Sequence, residues 1–111
     1  MDILDKARNA IEEYMLDRAA TPIAYIEAEC EVIIDRVRDR YVLMLVGWDN
    51  GKRVHGSLLH VDIIDGKIWI QRDGTEEGIA ETLLQLGVPT DKIVPGFRSK
   101  RMRQDMGFAI A

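Results

Sequence analysis

Hydrophobic periodicity predicts an α+β fold, in which a four-stranded antiparallel β-meander carries an N-terminal helix and a helix from the C-terminal half on one face. Three observations predict it. Apolar residues recur at helical spacing near the N-terminus and again after Gly74. Between those stretches they alternate with period two or run together, as in strands. The dipeptides Asn50-Gly51 and Asp65-Gly66, whose residues tolerate the positive φ of a tight hairpin turn, punctuate the alternating part.

Ile3, Ala7, Ala10, Ile11, Tyr14 and Met15 share one helical face, with charged residues between them, and predict a helix from about Ile3 to Ala19. Asp2 can cap its start, and Pro22 ends it because the residue before a proline avoids helical geometry. From Ala28, the acids Glu29, Glu31 and Asp35 interleave with Cys30, Val32 and Ile34 as a first strand. Arg38-Asp39 makes a polar turn, and Tyr41 to Val46 is a second, almost wholly apolar strand. After Asn50-Gly51, Arg53 to Ile64 forms the third; after Asp65-Gly66, Lys67 to Arg72 returns as the fourth. Thr75 can cap a helix from Glu76 to Leu86 that buries Ile79, Leu83 and Leu86 and closes at Gly87. Ile93-Val94 is a short extended piece, and Pro95 to Ala111 carries no decisive pattern.

Two-residue turns fix hairpin register. The first turn sets Trp48 against Arg53, Val46 against His55 and Met44 against Ser57; the second sets Ile63 against Ile68, Val61 against Ile70 and His60 against Gln71. Uninterrupted alternation then gathers Val42, Met44, Val46, Leu59, Val61, Ile63, Ile68 and Ile70 on the face that seats the helices. The opposite face carries Tyr41, Leu43, Leu45, Val54, Leu58, His60, Asp62, Trp69 and Gln71. A second face with this much apolar surface calls for cover, so Tyr41, Leu43, Leu45, Leu58, His60, Asp62, Trp69 and Gln71 are the expected contact residues for a partner or a homodimer.

A chain of 111 residues is one domain's worth, and 47% hydrophobic with 31% charged residues suffices for one core. The formal net charge of −4 argues against a generally cationic nucleic-acid binder, although it leaves room for a local basic patch. Cys30, the single cysteine, cannot form an internal disulfide, and with two histidines it makes a poor zinc set. Neither a membrane span nor a signal peptide is legible, which sets a cytoplasmic location as the expectation.

Few residues suggest chemistry. His60 and Asp62, two apart on one strand and near Gln71, could form an acid/base or metal pair, but they lack an evident third ligand or nucleophile. A polar cluster at an interface is the commoner meaning. Asp49 with Asp65-Gly66-Lys67 imitates a nuclease pattern, yet the two acids stand at opposite ends of one strand, about 40 Å apart at ~3.3 Å per residue. Gly74-Thr75-Glu76-Glu77-Gly78 opens a helix, but its two glutamates would repel an anion. Arg98, Lys100, Arg101 and Arg103 form a basic run, readable as a nucleic-acid contact, a solvated surface or a clamp on an acidic partner. Cofactors are not expected.

Longer matches carry a resemblance. Val46-Gly47-Trp48-Asp49-Asn50, Arg53-Val54-His55-Gly56, His60-Val61-Asp62-Ile63, Asp65 to Gln71, Asp73 to Glu76, Leu86-Gly87-Val88-Pro89 and Asp91-Lys92-Ile93-Val94 resemble the XisI family over nearly the whole chain. That family is named for a factor controlling excision of the fdxN DNA element. The resemblance implies a non-enzymatic accessory role in DNA rearrangement, with a XisH-like, endonuclease-fold protein as the partner. Direct DNA contact through the basic tail and an enzyme built on His60 and Asp62 are the alternatives.

Overall fold

The computed structural model describes residues 2–24 and 26–111. Helix α1 (Ile3–Ala20) opens on the Asp2 side chain, which accepts a hydrogen bond from the Asp5 amide at 2.8 Å. Four antiparallel strands follow: β1 (Glu27–Asp35), β2 (Arg40–Asp49), β3 (Lys52–Ile64) and β4 (Lys67–Asp73). Helix α2 (Ile79–Gln85) leads to β5 (Ile93–Pro95), and α3 (Lys100–Asp105) lies in the tail. The sheet order is β1-β2-β3-β4-β5, so the predicted meander is present and gains a fifth strand, parallel to β4.

Both hairpin turns have the expected backbone, with Asn50 and Gly51 at φ +50° and +77° and Asp65 and Gly66 at +51° and +76°. The polar turn between β1 and β2 also contains a left-handed residue, Asp39 at φ +55°. Ala7, Ile11 and Met15 of α1 and Ile79 and Leu83 of α2 bury one face of the sheet.

That face differs from the expected one. β3 holds a bulge: Met44 still pairs with Ser57, but Leu43 pairs with Leu59, Val42 with His60 and Tyr41 with Val61. One extra residue on a strand reverses the side to which everything beyond it points. Tyr41 and Leu43 are therefore fully buried with Leu59, Val61, Ile63, Ile68 and Ile70. Val42, Met44 and Val46 move to the outer face, as does His55, which joins His60 there. A second bulge pairs His60 with Arg72 in place of Gln71.

α2 also starts later than expected. Asp73, and not Thr75, organises its entrance: one carboxylate oxygen accepts from the Thr75 amide at 2.9 Å, the other from the Ile79 amide at 2.7 Å. A short acidic side chain competes well for nearby backbone amides, here those two and six residues downstream. Leu86 lies beyond the helix at 39% exposure, outside the core.

Candidate functional site

The outer sheet face gathers three polar side chains around one carboxylate. Asp62, near the end of β3, is only 7% exposed. It stands opposite Arg40 on β2 and Trp69 on β4. His60 Nε2 lies 2.9 Å from Asp62 Oδ1, and Gln71 Nε2 donates to Oδ2 at 3.3 Å. The Arg40 guanidinium approaches Oδ1 at 3.6 Å. Strand spacing brings His60 to Asp62 as expected. Gln71, displaced by the second bulge from its expected pairing with His60, still reaches Asp62, and Arg40, which sequence reasoning missed, joins them. Arg40 flanks the Arg38-Asp39 turn, and its place opposite Asp62 emerges only through the β3 bulge.

Chemically, this centre is a carboxylate whose oxygens are already taken by donors. Such an arrangement orients His60 and Gln71 and offers their remaining polar atoms to an outside group. His60 and Asp62 could contribute two ligands to a metal, but among the described residues no group of three or more potential ligands is close enough to complete a site. His55 shares the face but sits four β2 positions away by register, ~13 Å along the strand.

The other expected contact residues divide. Tyr41 and Leu43 have no exposed surface and cannot meet a partner; the bulge in β3 is the reason. Leu45 and Leu58 are half-buried and line a cleft of about 340 Å³ between the end of α1 and the sheet, together with Arg18, Cys30 and Thr75. Cys30 packs against the core, and burial pushes its thiol up, which keeps it protonated. Trp69 is half-buried beside Asp62, with the Arg103 guanidinium 5.3 Å from its ring centre.

Arg103 corrects the reading of the tail as four free cations. Its Nε donates to the Pro95 and Arg98 carbonyls at 3.2 and 3.0 Å, Nη1 to Ile110 at 2.6 Å and Nη2 to Gly96 at 3.3 Å. This buried clamp fastens α3 and the C-terminus around β5, where the Ala109 amide also reaches the Ile93 carbonyl at 3.0 Å. Arg98, Lys100 and Arg101 remain exposed. Arg103→Ala is expected to release residues 95–111 while leaving the meander folded, at a cost of about 2 kcal/mol. Hydrogen exchange should show lost protection confined to that segment, and unchanged protection there would refute the clamp.

No helix among the described residues is long and apolar enough to cross a membrane. None of the curated proteins matches the chain. The XisI protein family matches residues 1–110. The crystal structure of fdxN element excision controlling factor XisI from Anabaena variabilis is similar at 34% identity and TM-score 0.83, over 99% of this chain and 100% of that one. A XisI-like protein from the same organism is similar at 30% identity and TM-score 0.79, with the same coverage. With the fold and length shared from end to end, this chain belongs to the XisI family.

Proposed function

We propose that the protein is a non-enzymatic accessory factor of DNA-element excision that works by binding a XisH-like, endonuclease-fold partner. The observation that carries this reading is the polar end of the outer face. There Asp62 holds His60 and Gln71 at fixed positions beside Trp69, on a surface that α1 and α2 do not cover. Preorganised polar groups flanked by an aromatic ring suit specific contact, because little side-chain freedom is lost on binding. Likeness to an excision controlling factor supplies the setting.

Co-expression with a XisH-like protein tests it. The two should co-elute, and His60→Ala with Gln71→Ala should weaken the complex about tenfold at temperatures where both proteins stay folded, although Asp62 is left with Arg40 alone and the unfolding temperature falls. Separate elution of the wild-type proteins would refute the reading. Direct DNA binding has a narrower basis in Arg98, Lys100 and Arg101. It requires a mobility shift that weakens steeply with salt.

A further inference from the structure

The opposite half of the outer face carries a charge pattern that the partner reading leaves unused. Three strands contribute three columns. β1 presents Glu27, Glu29 and Glu31, all exposed; β2 presents Trp48, Val46 and Met44; β3 presents Arg53, His55 and Ser57. Register aligns them in rows: Glu27, Trp48 and Arg53; then Glu29, Val46 and His55; then Glu31, Met44 and Ser57. Among the described residues, none of the three glutamates has an ion-pair partner, and Arg53 meets only the Trp48 ring at 5.3 Å and the Gly47 carbonyl at 3.4 Å. An acidic column and a column headed by the Arg53 cation thus flank an apolar stripe, with Trp48 49% exposed.

We propose that this half of the face packs against the same half of a second copy of the chain, about a two-fold axis parallel to β2. Two sheets packed face to face about an in-plane two-fold have two simple alternatives. An axis perpendicular to the strands lays β1 on β1, acid on acid, which is repulsive. An axis along β2 lays the stripe on itself and carries β1 of one copy over β3 of the other. Glu27 then meets Arg53 of the second copy, Glu29 meets its His55, and both contacts occur twice by symmetry. Aligned sheets cross at about 30°, so strands separate away from the contact centre. The Asp62 centre, ~13 Å of strand from Met44, lies toward the diverging end. The acidic column also accounts for a lone first strand at the sheet edge: its charges oppose edge-to-edge pairing with another β1.

Sedimentation equilibrium on the full chain tests this. The wild type should be a dimer at low salt, with affinity falling as salt is added. Arg53→Glu should weaken it about 10- to 100-fold, since attraction becomes repulsion at two symmetric places. Arg53→Glu combined with Glu27→Arg should restore most of that loss, which mere removal of a side chain cannot do. Met44→Glu should give monomers whose circular dichroism and unfolding temperature match those of the isolated wild-type protomer. A wild-type monomer at 100-fold the expected dissociation constant of a micromolar dimer (about 100 μM), a dimer indifferent to Met44→Glu, or a double variant no tighter than Arg53→Glu would each overturn the proposal.

Discussion

Replacing Gly47 with alanine is expected to prise β1 away from β2 and to cost about 3 kcal/mol, at the upper end of what overpacking costs. A Cβ at Gly47 would lie 2.2 Å from the Glu27 carbonyl oxygen, 2.4 Å from Ala28 Cα and 2.6 Å from its Cβ. The first two are backbone atoms of the neighbouring strand, so no side-chain rotation relieves the contact. Gly47 pairs with Ala28 on one side and Val54 on the other, which makes the strands themselves the only parts free to move. For a domain of this size the unfolding midpoint should fall by roughly 10–20 °C. Gly56→Ala is the control: no atom lies within 4 Å of its added Cβ, and its backbone conformation is ordinary. Equal midpoints for the two variants would show that β1 can yield without cost. The loss at Gly47 should also be local, with hydrogen exchange rising first in β1, the strand whose other edge is unpaired.

The turns were legible because their chemistry is local. Asn50-Gly51 and Asp65-Gly66 need positive φ, and few residue types supply it without strain. The faces were legible only up to the β3 bulge. Ser57-Leu58-Leu59 contains no breaker, and the nearby Gly56 is the one local sign that alternation could slip there. Counting by twos across Leu58 exchanged Tyr41 and Leu43 for Val42 and Met44. His60, Asp62 and Trp69 share the expected face because they lie on the second turn's side of that slip, where that turn sets the register. Arg103 failed for a different reason. In sequence it is one cation in a basic run, and the carbonyls that hold it belong to two separate stretches of the tail, 95–98 and 110. β5 was visible as an extended piece, whereas its parallel pairing with β4 depends on how α2 returns the chain.

Asp39→Ala is the second substitution expected to cost about 3 kcal/mol, because it strips several charge-assisted hydrogen bonds at once. The Asp39 carboxylate accepts from Arg8 Nε at 2.9 Å and Nη2 at 3.0 Å, a two-pronged link from α1 to the turn between β1 and β2. It also accepts from the Tyr41 hydroxyl at 2.9 Å. Tyr41 is fully buried, and burial, reinforced by the bond to Asp39, pushes its phenol up to about 12. Without Asp39 that hydroxyl would lose its acceptor while the side chain stays buried, which is the costly part. Tyr41→Phe should therefore cost less, about 1 kcal/mol. Asp39→Asn isolates the charge, since asparagine tolerates the left-handed backbone at φ +55°. The acid side of the stability curve gives an independent test. The Arg8 guanidinium, hydrogen-bonded to the carboxylate, holds Asp39 below the usual carboxylate range. A depressed folded-state pKa adds stability above the unfolded value of ~3.9, and that stability is lost as pH falls through the folded value. The gap in unfolding free energy between wild type and Asp39→Asn should thus be full at pH 6 and should narrow below about pH 4. A gap that stays constant down to pH 2 would mean that the turn holds α1 by shape alone.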